Sequence, residues 1–239
     1  MICGPAARRR QRGLSLVEMM VGLAVGLIVV AAAVLLVSTQ LGDNRRLLLE
    51  TQIQQDLRAT ADIIARELRR AGAWSRAETG VWTPTTAPPG PARNPFASTT
   101  PSSGSADAVT FDYSRPGDAG GPYGFKLEGG SIKTLLSGAG WQELTDKNVL
   151  TVVTFNIEAD NSPLVRLPCP KACPAPPPPG QPADYCWPTI GVRSFIVTIT
   201  GRAVSDASVQ RTIVSRVRMH NDVVNFNAGV SPNFRACPT

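Results

Sequence analysis

The segment Arg8-Arg9-Arg10-Gln11-Arg12-Gly13-Leu14-Ser15-Leu16-Val17-Glu18-Met19-Met20 sets four arginines directly against an apolar run that continues to Val37. Within the 24 residues from Leu14 to Val37 the only charged side chain is Glu18. A basic segment ahead of an apolar one fixes orientation in a bilayer, because the arginines stay in the cytoplasm while the downstream chain is carried outward. As a helix this stretch would measure about 36 Å, against a hydrocarbon core of about 30 Å. It is long enough to span.

An ordinary secretory signal is the competing reading, since Ala31-Ala32-Ala33 offers the small-residue pattern that a signal peptidase accepts. The chain would then be a membrane-anchored or secreted extracytoplasmic binding protein. Glu18 opposes this, because an unpartnered charge deep in an apolar helix costs on the order of a few kcal/mol. The helical pattern also fails to stop. Leu49, Ile53, Leu57, Ala61, Ile64, Leu68 and Ala71 recur at steps of four and three, which is one apolar stripe on a helix. Asp56, Arg58, Asp62, Arg66, Glu67, Arg69 and Arg70 fall on other faces. Gly72 suits the C-terminal stop, with arginines in the preceding turn where cations complement the helix dipole. Gly42-Asp43-Asn44 is expected to interrupt or bend the helix as it leaves the membrane. Gly22 and Gly26 form a GxxxG step, which permits close helix approach or simply gives flexibility.

Composition agrees with an exported chain. Of the formal charge of +6, four units come from Arg8, Arg9, Arg10 and Arg12, so the chain beyond Gly13 carries about +2, too little to imply a nucleic-acid partner. Arg216 and Arg218 on a strand read as solvated charges. Among five cysteines, Cys3 lies in the basic leader, and Cys169, Cys173, Cys186 and Cys237 lie in the C-terminal third. Four cysteines in an exported domain predict two disulfides, with three connectivities open. Zinc is the alternative, from the C-x3-C spacing of Cys169 and Cys173.

The remainder reads as β-rich. A Pro/Ser/Thr-rich stretch from Thr83 to Ser105 is expected to be a long loop. Strands are predicted over Ala108 to Tyr113, Gly124 to Glu128, Ser131 to Leu136, Val149 to Glu158, Val192 to Val204 and Val209 to His220. Glu128-Gly129-Gly130-Ser131 is a hairpin turn signal. Alternation of Phe195, Val197 and Ile199 with Thr198 and Thr200, and of Ile213, Val217 and Met219 with Arg216 and Arg218, marks half-buried antiparallel strands. An insert from Pro168 to Pro188 carries the run Pro176 to Pro179, with Tyr185 and Trp187 flanking Cys186. It is read as a stapled loop without a core of its own, or as a contact loop. His220 is the only histidine, and no nucleophile elbow, zinc-protease or P-loop motif occurs. Neither catalysis nor a cofactor is expected.

The segment Arg12-Gly13-Leu14-Ser15-Leu16-Val17-Glu18 resembles the class III signal of type IV prepilins, although those chains usually begin Phe or Met, then Thr, where this one has Leu14 and Ser15. The resemblance implies that a prepilin peptidase cuts after Gly13 and that Leu14 becomes the methylated first mature residue. It also implies that Glu18, the fifth, meets the N-terminal ammonium of a neighbouring subunit. A carboxylate and an ammonium neutralising each other in an apolar fibre core select axial register, since any offset leaves both unpaired. Ala65-Arg66-Glu67-Leu68-Arg69-Arg70-Ala71-Gly72 resembles the end of the long helix in the PilW family of minor pilins, and J-type pseudopilins of type II secretion end similarly. Val217 to Asn221 resembles the last strand of PilW-type heads.

The fold expected is α+β, a long N-terminal transmembrane and amphipathic helix packed on an antiparallel β-sheet head. The expected organisation is a leader over 1–13, a helix over 14–72 (14–37 transmembrane, 43–72 amphipathic) and a head over 73–239 with the insert at 168–188. The resemblance implies a minor pilin that helps initiate or cap a type IV pilus, or alternatively a J-type pseudopilin. Its implied partners are other minor pilins, the major pilin, a tip adhesin and prepilin peptidase. The implied location is the inner membrane with a periplasmic head, then the extracellular pilus.

Overall fold

The computed structural model describes residues 13, 15–80, 94–114, 120–173, 176–225 and 237. The basic leader with Cys3, the residue Leu14 and the first part of the expected Thr83–Ser105 loop lie outside them. Helix α1 covers Leu16–Arg70, and the chain divides into two compact units, the first ending at Leu48 and the second beginning at Leu49.

In the first unit every described side chain is exposed, and the apolar window reaches a mean hydropathy of 3.0. A helix satisfies all of its backbone polar groups internally, so such a surface suits hydrocarbon. Where the apolar run ends, the Ser38 hydroxyl donates to the Val34 carbonyl at 2.8 Å and the Thr39 hydroxyl to Leu36 at 2.8 Å. Both polar groups are thereby closed onto the helix itself. The interruption expected at Gly42-Asp43-Asn44 does not occur, because α1 runs through these residues unbroken. One glycine costs a helix about 1 kcal/mol, and Arg45 to Glu50 behind it are mostly good helix formers.

In the second unit the apolar stripe meets the core. Ile53, Leu57, Ala61, Ile64, Leu68 and Ala71 are all buried, and Leu49 packs against them from the rim. Each large one contributes about 1.5–3 kcal/mol relative to an exposed position. The helix closes as the sequence predicts, with Gly72 at φ 75° just beyond Arg70.

The strands are β1 (Thr99–Thr100), β2 (Gly104–Ala106), β3 (Ala108–Phe111), β4 (Tyr123–Glu128), β5 (Ser131–Leu136), β6 (Gly140–Glu143), β7 (Leu150–Ala159), β8 (Val165–Arg166), β9 (Thr189–Gly191), β10 (Ser194–Ala203), β11 (Gln210–Arg218) and β12 (Val223–Asn225). They form antiparallel sheets ordered β1-β3-β4-β5-β6, β11-β10-β7-β2 and β12-β9-β8. The architecture is the expected pilin-like α+β one. The stretch read as loop holds two short strands: β1 pairs with β3, and β2 pairs with β7 through Gly104, Ser105 and Ala106. Such two- and three-residue strands have no periodicity to read.

Sheet β11-β10-β7-β2 meets the helix through Phe195, Val197 and Ile199 on β10 and Val152, Phe155 and Ile157 on β7. A Cβ placed on Gly201 would lie 2.5 Å from Leu150 and 3.1 Å from Leu57, so α1 nests on bare backbone there. On the other sheet, the Phe111 ring lies 6.3 Å from Tyr113, Tyr123 and Phe125, and Tyr113 stacks on Tyr123 at 4.3 Å. Of these rings, Tyr113 reaches the last turns of α1 through Glu67 and Arg70.

Candidate functional site

The N-terminal residues that the sequence singles out sit at a change of backbone state. Gly13 is exposed and non-helical, and Met19 donates its backbone N–H to the Ser15 carbonyl at 3.1 Å, so helical bonding starts just after it. A Cβ on Gly13 would touch nothing within 4 Å. Glu18 stands exposed in the first turn of α1, where unpaired backbone N–H groups favour a negative charge. The peptide bond after Gly13 therefore precedes the helix, and the carboxylate opens it.

At the other end, the C-terminal carbonyls of α1 are satisfied by partners from remote parts of the chain. His220 donates its backbone N–H to Arg69 at 3.1 Å, Asn221 its side-chain amide to Ala71 at 3.1 Å, and Asn94 its side-chain amide to Gly72 at 2.7 Å. Gly72 in turn donates its N–H to the Asp112 carbonyl at 2.8 Å. Arg193 ties these segments together, donating to the Ala97 carbonyl and, at 3.0 Å, to that of Asn221. Burial pushes the Arg193 guanidinium below its ordinary range, opposed by nearby Asp222. Among the described residues, Arg193 Nε and Asp222 Oδ1 are buried without a hydrogen-bond partner. The sequence gives no signal for this cluster, because Asn, Asp and Arg at isolated positions have no periodicity.

The four head cysteines pair as Cys169 with Cys237 and Cys173 with Cys186. One bridge spans a sequence separation of 68 and the other of 13, so the first closes a far larger loop. Both thiol pairs are thus committed to disulfides, and zinc ligation by this set gives way. Among the described residues, no group of three or more His, Cys, Asp or Glu side chains gathers as metal ligands do.

Exposed charges settle locally. Arg216 pairs with Asp160 at 3.0 Å and Arg218 with Asp222 at 3.0 Å, both at the surface. Lys126 and Lys133 hold Glu128 below the usual carboxylate range through contacts at 2.9 and 3.1 Å. Asp112 moves the opposite way, raised by desolvation beside a cleft of about 160 Å³ that Thr100, Thr110 and Pro122 also line.

Two family models match the chain. The prokaryotic N-terminal methylation motif covers residues 8–34, and prepilin peptidase-dependent protein B covers residues 46–219, well over half of the chain. The chain belongs to the prepilin peptidase-dependent protein B family. No curated protein and no solved structure matches it. The match is to prepilin-like proteins of this family and not specifically to the PilW family. A prepilin peptidase-dependent protein B is a prepilin-like substrate of prepilin peptidase with a pilin-like structural role, not an enzyme. The methylation motif, the apolar start of α1 and the disulfide-bonded head together give inner-membrane anchoring with an extracytoplasmic head.

Proposed function

We propose that this prepilin peptidase-dependent protein B is a minor pilin that helps initiate or cap a type IV pilus. The supporting observation is the exposed apolar stretch of α1, entered from non-helical Gly13 and carrying one carboxylate, Glu18, in its first turn. Prepilin peptidase cuts between Gly13 and Leu14, residues 1–13 leave as the leader, and Leu14 becomes the methylated N-terminus. The new ammonium and Glu18 of adjacent subunits neutralise each other when the apolar helices bundle. Residues 14–37 hold the subunit in the inner membrane, 43–72 carry the amphipathic half, and 73–239 form the head. Other minor pilins, the major pilin and a tip adhesin are its partners, and the assembled subunit ends in the extracellular pilus.

The type II secretion alternative remains beside it, because the helix ending from Ala65 to Gly72 resembles PilW-type pilins and J-type pseudopilins alike. Intact-mass analysis of the protein purified from its native membrane tests the processing step, with an N-methylated Leu14 start as the expected result and a start after Ala33 as the contrary one. Sheared pili containing the chain place it in the pilus. Its absence from pili, with loss of protein secretion on deletion, assigns it to the secretion machine.

A further inference from the structure

The insert between Cys173 and Cys186 presents a surface that, among the described residues, stays exposed. Every residue from Pro176 to Ala183 is exposed, and from Ala172 to Ala183 the chain carries no charged side chain. Proline fixes its own φ near −65° and pushes the residue before it out of the helical region. Pro176, Pro177 and Pro178 each precede a proline, so both restraints act on all three and leave polyproline II as their backbone state. That helix repeats every three residues, which puts Pro176 and Pro179 on one side.

The ridge is held at both ends. Beyond it, Gln181 donates its N–H to the Pro178 carbonyl at 2.9 Å across Pro179 and Gly180, with Gly180 at φ 82°. Proline followed by a positive-φ glycine is the pattern of a type II turn. At the base, the disulfide is reinforced by a Cys186 N–H directed at Cys173 Sγ, 3.1 Å away. The Trp187 indole donates to the Lys171 carbonyl at 3.2 Å, and Tyr185 is buried beneath.

We infer that the Pro176–Pro179 ridge is a protein-docking surface, and that its partner carries a groove lined by parallel aromatic rings. Proline rings at a three-residue spacing fill the slots between Tyr and Trp side chains. Proline lacks an N–H, so the ridge offers carbonyl acceptors, which an indole N–H or tyrosine hydroxyl donates to. A charged groove gains nothing from an uncharged segment. Proline geometry, the turn at Gly180 and the Cys173–Cys186 bridge restrict the ridge beforehand, so docking loses little chain entropy. This goes beyond the pilus reading and does not depend on which filament the chain serves.

The test uses the full-length chain in its native cells, with the photo-crosslinking residue p-benzoylphenylalanine placed at exposed Ala183. The expected result is a covalent adduct whose partner-side attachment, mapped by mass spectrometry, lies beside clustered Tyr or Trp residues. A Pro176→Ser, Pro177→Ser variant keeps the Pro179-Gly180 turn and should lower adduct yield at least about tenfold by loosening the ridge. Intact mass should show both disulfides retained in that variant. Absence of any protein adduct, an attachment site without aromatic residues, or equal yield from the variant with its disulfides formed would each overturn the inference. Should the variant lose its disulfides, Pro177→Ser alone gives the comparison.

Discussion

The hydroxyl of Tyr113 donates to Glu67 Oε2 at 2.7 Å, while the Arg70 guanidinium lies 4.8 Å above the centre of the same ring. Arg70 also pairs with Glu67 Oε1 at 3.2 Å, so three side chains close a polar clasp between the end of α1 and the segment after β3. Tyr113→Phe keeps the ring and its stacking on Tyr123 but removes the hydrogen bond. Hydrogen bonds to charged acceptors contribute about 1.5–3 kcal/mol, and partial exposure places this one near 1 kcal/mol. Urea unfolding of the full chain in detergent should show that loss with an unchanged m-value.

Gly72 is the second fixed point of the helix end. Its φ of 75° is one that other residues adopt reluctantly, and an added Cβ would lie 3.0 Å from the Arg193 guanidinium. Gly72→Ala should therefore destabilise the head by about 1–2 kcal/mol. Urea unfolding of the full chain measures this, and an unchanged midpoint in Gly72→Ala would contradict it.

Asp112 gives a pH signature. Desolvation raises its pKa, so the folded chain holds this proton more tightly than the unfolded chain. Native stability then falls as pH climbs from the ordinary carboxylate value to the raised one, and the penalty persists above it. Asp112→Asn should stabilise the protein at neutral pH, with the advantage vanishing in acid. Thermal unfolding of both proteins between pH 3 and pH 7 (roughly, spanning the carboxylate range) measures this, and a pH-independent gap would contradict it.

Glu18→Ala addresses assembly. Glu18 is exposed in the first turn of α1, a helix-end position from which the anchored subunit's carboxylate should reach headgroups or water, so insertion and leader cleavage should continue at native levels. In a bundle of apolar helices that escape is closed, and an ammonium without its counter-charge becomes costly. Recovery of the variant with partner pilins and in sheared filaments should fall at matched membrane levels. Equal recovery of both proteins would remove the role given to Glu18.

What the sequence revealed was the regular part of this fold. The stripe from Leu49 to Ala71 is buried nearly as its spacing demands, because a long amphipathic helix repeats its signal many times. β5 occupies Ser131–Leu136 as expected, and Glu128 faces Ser131 across Gly129 and Gly130, both at positive φ. The alternation on β10 and β11 is equally clear, except that Thr200 is buried, its hydroxyl 2.9 Å from that of Thr212 on the adjacent strand. Short pieces such as β1, β8 and β12 were invisible, since two or three residues show no period. Helical continuity through Gly42 has no local signal, because a single breaker is outweighed only by the whole length of good helix formers on both sides of it. The disulfide pairing and the cluster around Arg193 depend on which distant segments meet, and that is a property of the finished fold.

The capping of α1 by His220 and Asn221 has a consequence in time. Asn221 and the carbonyl it caps, that of Ala71, are 150 residues apart in the chain. A polypeptide delivered across a membrane from its N-terminal end presents the amphipathic stripe early and the residues that cap it almost last. Non-local closure of this kind slows folding. Until the last strands arrive, Leu57, Ile64 and Leu68 have no complete sheet to cover them. The subunit thus remains incomplete throughout its own delivery, and its core closes only when nearly the whole chain has crossed.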